Sequence, residues 1–188
     1  MKINSLSVIS MLSILAFGGT ANAGVVADFY IGGMVGAGGH TLFTNDVHDS
    51  AASKLLGGMI GVDIPAFRIE AEYNYIDSKE LDTNAAMLNA YFKVPSTLIQ
   101  PYLGGGIGML FSGNQKITTG GTTTKYNLDS TAAYQAMLGA TIDILAVPLK
   151  FDVEGRVLYA PDIYKIEATD TTPDLLEYNV RVKMRYIF

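Results

Sequence analysis

Tyr178-Asn-Val-Arg-Val-Lys-Met-Arg-Tyr-Ile-Phe188 decides the fold. In an extended chain successive side chains point to opposite faces. Tyr178, Val180, Val182, Met184, Tyr186 and Phe188 therefore share one face, and Asn179, Arg181, Lys183, Arg185 and Ile187 share the other. One face is apolar and the other cationic, and the stretch closes on an aromatic residue.

The same period of two recurs through the chain and predicts eight strands, each the length of a tilted membrane strand. They span about residues 28–40, 54–64, 67–76, 85–94, 100–112, 131–144, 148–160 and 178–188. The third is the clearest, with Phe67, Ile69, Ala71, Tyr73 and Tyr75 opposed to Arg68, Glu70, Glu72 and Asn74. Tight links containing proline follow the second, fourth and sixth strands: Asp63-Ile-Pro-Ala66, Pro95-Ser-Thr-Leu98 and Leu145-Ala-Val-Pro148. Proline suits such turns because its φ is fixed and it lacks an N–H. Longer polar links are expected at Thr41–Ser53, Asp77–Asn84, Gly113–Ser130 and Pro161–Leu175.

At the other end, Lys2, the apolar run Leu6–Phe17 and Ala21-Asn22-Ala23 have the form of a secretory signal peptide. Residues 1–23 are expected to be cleaved, leaving one domain over 24–188. Past this segment no apolar stretch is long enough for a spanning helix. A membrane location would then demand a closed β-barrel, the other fold that satisfies its backbone polar groups without water. The 188 residues include no cysteine, which removes disulfides, thiolate metal sites and cysteine nucleophiles. A net charge of −5 argues against nucleic acid as a partner.

The charges of the polar faces cancel. Arg68, Lys93, Lys150, Arg156, Arg181, Lys183 and Arg185 stand against Asp63, Glu70, Glu72, Asp143, Asp152, Glu154 and Glu177. Lys54, Lys79, Lys116, Lys125 and Lys165 are assigned to the long loops or their margins, and the apolar faces of the strand cores carry no ionised residue. Since an Arg or Lys facing lipid at midplane costs about 2–4 kcal/mol, a clean apolar face suits a bilayer. The balanced set suits a narrow lumen filled by ion pairs. Arg181 and Lys183 are expected to meet Asp152 and Glu154 across it, with Glu70 or Glu72 completing the cluster.

Aromatic residues fall into two belts, as at two membrane interfaces. Phe29, Phe67, Phe92, Phe151, Tyr186 and Phe188 lie toward the short links; Tyr73, Tyr75, Phe111, Tyr134, Tyr159 and Tyr178 lie toward the long ones. Glycines crowd the first, second and fifth strands without any nucleotide-loop spacing, and are expected to make room for Tyr30, Tyr91 and Tyr102.

From Gly24 on, with Tyr186-Ile-Phe188 at the end of an alternating strand, the chain resembles the small eight-stranded outer-membrane β-barrels of Gram-negative bacteria. These are the OmpA-like, OmpX-like and opacity-type surface proteins. The resemblance implies an all-β, antiparallel, up-and-down transmembrane barrel with a polar, charge-balanced lumen. It implies a bacterial outer-membrane location, with long loops extracellular and both termini periplasmic. Tyr186 and Phe188 would be read by the barrel-assembly machinery, and lipid and lipopolysaccharide would surround the wall. No peptidoglycan-binding domain is expected after the last strand.

The function expected is that of a surface structural or adhesin-like protein whose loops meet a host or cell-surface ligand. The alternatives are a narrow small-solute pore, a lipid A-modifying enzyme and a soluble lipocalin-like binder. Lipid A palmitoyltransferases of this size use a His in the first external loop with an Asp-Ser pair in the second. His40, His48 and Asp77-Ser78 match loosely, but the amphipathic helix of that family is missing before Asp28. Catalytic residues, cofactors and metals are not expected, because the two histidines show no ligand spacing.

Overall fold

The computed structural model describes residues 27–44, 47–78, 81–96, 98–119, 122–127, 130–144, 147–161, 163 and 174–188. The expected signal segment and most of Pro161–Leu175 lie outside the described residues. The strands formed are β1 (Asp28–Thr44), β2 (Val47–Asp63), β3 (Phe67–Ser78), β4 (Leu81–Lys93), β5 (Ile99–Thr119), β6 (Thr122–Asn127), β7 (Thr131–Asp143), β8 (Leu149–Ala160) and β9 (Asp174–Ile187). Eight of them make a closed antiparallel barrel in the order β4-β3-β2-β1-β9-β8-β7-β5, with β4 pairing back onto β5. Closure leaves no edge in the ring, so each barrel strand is hydrogen-bonded on both sides.

The short links are tight. The first is bonded both ways between Ile64 and Phe67, at 2.9 and 3.2 Å. The last strand returns beside the first, and the Phe188 N–H donates to the Phe29 carbonyl at 2.9 Å.

At the opposite end three of the four long links are largely strand. β1 and β2 stay paired from Asp28↔Asp63 to Thr44↔Val47, which takes in most of Thr41–Ser53. β3 reaches Ser78 and β4 begins at Leu81, so little remains of the link Asp77–Asn84. Within Gly113–Ser130, β5 runs on to Thr119 and pairs with β6, Asn114↔Asn127 to Thr119↔Thr122. The Thr-rich arms explain the difference, because a β-branched side chain favours extended backbone.

The two faces differ sharply. Phe29, Leu56, Ile69, Leu88, Ile107, Leu138, Val157 and Val180, one from each barrel strand, all face outward and exposed. On β3 and β8, Arg68, Glu70, Glu72, Asp152, Glu154 and Arg156 face inward and buried. A lipocalin-like binder would have the reverse arrangement. Both aromatic belts lie on the outer wall, with Phe67 and Phe92 packed edge to face at 5.5 Å in one and Tyr73 and Phe111 at 6.0 Å in the other. Two charges stand at the margin of the wall. Lys54 lies within β2 and faces outward beside Ala37, and Asp77, its neighbour on β3, faces outward too. Both stand at the long-link end, beyond Tyr75.

Candidate functional site: the ion-paired lumen

Eight strands enclose an interior only wide enough for side chains to fill, so the inward positions decide whether anything can pass or bind. Glycine makes the first contribution. A Cβ at Gly61 would fall 2.4 Å from the Tyr30 hydroxyl oxygen, and one at Gly104 would fall 2.4 Å from the Tyr91 ring. At Gly139 it would fall 2.7 Å from Tyr102. Each inward tyrosine thus lies over a glycine of another strand, which is why both residue types are needed in so narrow a tube.

Near the short-link mouth, Lys150 pairs with Asp143 at 3.3 Å, both partly exposed. Deeper, Asp63 is held by Lys93 and by Arg185 at 3.0 Å. Arg185 also donates through Nε and Nη2 to Asp152, at 2.8 and 2.9 Å, and Thr141 donates to the same carboxylate at 2.5 Å. Arg68 reaches Asp152 at 3.2 Å. The rest of its guanidinium makes no hydrogen bond among the described residues. Instead it is held by the faces of Tyr91 and Tyr102, 4.0 and 4.6 Å from their ring centres. Such contacts are worth more when desolvated, and Arg68 is fully buried.

The middle of the lumen is a braid of ions from β3, β8 and β9. Lys183 lies 2.8 Å from Glu70, 3.2 Å from Glu154 and 3.7 Å from Glu72. Arg181 lies 2.5 Å from Glu154 and 2.8 Å from Glu72. Tyrosine hydroxyls fill the remaining acceptor positions: Tyr30 and Tyr91 donate to Glu70 at 2.7 and 2.9 Å, and Tyr102 donates to Glu154 at 2.9 Å. Asn74, Asn89 and Gln135 donate to Glu72 at 2.7, 2.8 and 3.2 Å. Above them Arg156 pairs with Glu177 at 2.7 Å, and Asn179 supports that carboxylate at 3.0 Å. Arg181, Lys183, Glu70, Glu72 and Glu154 have no exposed side-chain surface.

All fourteen charges of the polar faces therefore lie inside the barrel or at its short-link mouth. The pairing expected for Asp152 is different. It binds Arg185 and Arg68 rather than Arg181 and Lys183, although Lys183 is its register partner on β9. Cross-strand neighbours are only about 4.5–5.5 Å apart, well within the reach of Lys and Arg, so the longest side chains choose diagonal and cross-lumen partners.

Toward the long links the interior turns apolar. Ala85, Met87, Leu110, Ala133, Leu158, Ala160, Ile163 and Leu175 form a buried cluster there, while Tyr30, Met34, Leu55, Met59 and Ile76 form a second that runs the length of β1–β3 from the short-link end. Sequence reading missed this layer. Strand parity could have found it, since Leu158 and Ala160 continue the inward face that begins at Lys150.

The residues considered for acyl transfer that the structure describes do not share one face. His40 is buried on β1, Asp77 faces outward, Ser78 faces inward, and the His48 side chain lies outside the described residues. The Asp-Ser pair is thus divided between the two faces of β3. Among the described residues there is also no group of His, Asp and Glu suited to a metal ion.

An eight-stranded closed barrel, apolar outside and ionic within, is the fold of the small outer-membrane barrels. The chain is similar to Neisserial surface protein A at 14% identity and TM-score 0.56, over 84% of this chain and 97% of that one. It is likewise similar to the N-terminal β-barrel domain of OprF from Pseudomonas aeruginosa, at 13% identity and TM-score 0.51, over 84% and 97%. At these identities the likeness is one of fold. No protein-family model and no curated protein matches the sequence.

Proposed function

We propose that the protein is an integral barrel of a bacterial outer membrane, with the short links in the periplasm and the β5–β6 hairpin outside. In this reading it serves as a surface structural or interaction protein, not as a conduit or an enzyme. The observation that carries the proposal is the pairing of the two faces. Exposed large apolar side chains occur on all eight barrel strands, whereas a soluble monomer rarely exposes a contiguous apolar patch beyond a few hundred Å². Bilayer hydrocarbon is the solvent that makes this wall favourable. Inside, ion pairs and an apolar layer fill the lumen, which opposes passage of solutes. Function then falls to the long-link end, where the paired strands β1–β2 and β5–β6 extend the barrel and offer a surface to a host or cell-surface ligand.

The test is removal of Gly113–Ser130 in cells expressing the protein. The reading predicts lost adhesion with unchanged permeability to small solutes. A raised or abolished solute flux with adhesion intact would replace it with the pore. Protease added to intact cells should cut within Gly113–Ser130 and spare Pro95–Leu98, and equal protection of both segments would overturn the orientation.

A further inference from the structure

The short-link mouth of the barrel contains a recess of about 220 Å³, the liquid volume of roughly seven waters. Hydrogen bonds fix its rim. The Lys93 N–H donates to the Ala66 carbonyl at 2.8 Å, which ties the end of β4 to the β2–β3 link. The Val94 N–H donates to the Pro101 carbonyl at 2.9 Å, and the Gln100 side chain donates to the Ser96 carbonyl at 2.8 Å, which folds the β4–β5 link against β5. Pro65 and Pro95, their φ fixed by the ring, line the recess from the two links. Its shape is thus set in the absence of a ligand, as in most small-molecule sites. The inner end is closed by the pair Lys93–Asp63, whose side chains are only 4% and 3% exposed. A recess with a closed floor can hold a molecule but cannot conduct one.

Its charges are unevenly satisfied. Lys93 pairs with Asp63, and Lys150 pairs with Asp143 at 3.3 Å. Asp28, at the start of β1, is half-buried, and its carboxylate makes no ion pair or hydrogen bond among the described residues. A bare anion in the recess would be repelled by Asp28, and a bare cation by the two ammonium groups. A molecule that carries both charges a few bonds apart suits all three groups, because each lysine has three N–H donors and uses only part of them on its carboxylate. Between the charges the lining is Ile64, Pro65 and Pro95, which fits a small apolar body.

We propose that this recess binds a small zwitterion of the amino-acid or short-peptide class, with its ammonium on Asp28 and its carboxylate on Lys93 and Lys150. The site lies at the end of the barrel away from the surface discussed above and does not depend on that function; in the orientation given there it opens to the periplasm. The test is nuclear magnetic resonance of the full barrel in neutral detergent, following the backbone amides of Ser96 and Gln100 during titration with alanylalanine. Its N-acetyl form lacks the ammonium and its C-terminal amide lacks the carboxylate. The dipeptide should give saturable shifts, and each blocked form should bind about fivefold more weakly, the upper range for one exposed ion pair. Asp28→Asn should weaken the dipeptide about fivefold and leave the N-acetyl form unchanged; Lys150→Gln should do the same with the amide as the unaffected form. Asp28 has no partner to lose, and heat-modifiable gel mobility checks that both variants fold. Shifts that do not saturate, equal binding of the three forms, or an unchanged curve in Asp28→Asn would overturn the site. Tighter binding of glycerophosphoethanolamine than of the dipeptide would also overturn it, in favour of a lipid headgroup. Should the outer-membrane reading fail, the compartment changes but these binding curves do not.

Discussion

Glu154→Ala is the most informative single perturbation. Glu154 is the carboxylate shared by Arg181 at 2.5 Å and Lys183 at 3.2 Å, and it accepts from Tyr102 at 2.9 Å, with no exposed surface on the ionic partners. Removing it leaves Arg181 with Glu72 and Lys183 with Glu70, so both cations keep one anion. The lumen nonetheless gains one uncompensated positive charge in a space filled by side chains. Breaking a buried pair costs about 3–5 kcal/mol because the survivor stays buried. Asp143→Ala is the internal control. Its pair with Lys150 has 24% and 16% exposed side chains, and water can solvate the lysine, so the loss should be about 0–1 kcal/mol. Urea unfolding in lipid vesicles, followed by circular dichroism and by the mobility shift of the folded barrel, gives both values. A further variant, Glu154→Ala with Lys183→Met, restores neutrality and should recover part of the loss. Near-equal costs for Glu154→Ala and Asp143→Ala would refute a dry, ion-closed lumen and point to a hydrated one.

Three other substitutions follow from the same geometry. Gly104→Ala drives a Cβ into the Tyr91 ring and should cost about 1–3 kcal/mol, whereas Gly105→Ala, whose Cβ would meet nothing nearer than the Gln135 carbonyl at 3.9 Å, should be close to neutral in the same unfolding assay. Replacing His40, His48 and Ser78 by Ala should leave the acylation pattern of lipid A unchanged by mass spectrometry; a change would make the protein an enzyme. Deleting Phe188 removes the last bond to β1 and the terminal aromatic of the outer wall, and should slow assembly, seen as a persistent unfolded band on a semi-native gel.

Much of the barrel was legible because one physical rule, two faces per strand, acts residue by residue. Arg68, Glu70 and Glu72 alternate with Phe67, Ile69 and Ala71 so plainly that face and strand could be read together. Partners were less legible. Asp152 has Lys183 opposite it in register and still binds Arg185 and Arg68, a choice set by side-chain reach across the lumen. The apolar upper interior was missed because Leu158 and Met87 look like wall residues unless their parity is counted. The hairpin ends of β1–β2 and β5–β6 were missed for another reason: polar, Thr-rich strands have the composition of loops.

The central claim is that one face of each barrel strand meets lipid while the other seals the interior. The chain contains no cysteine, so a single spin label can be placed on the wall by Val153→Cys on β8 or Val182→Cys on β9, two outward neighbours in register. Collision of the label with oxygen and with a water-soluble nickel chelate, in reconstituted vesicles, reports which solvent it faces. The account predicts strong relaxation by oxygen and almost none by the chelate at both positions. Ready access of the chelate to either would mean that the apolar wall faces water, and the transmembrane barrel would have to be abandoned.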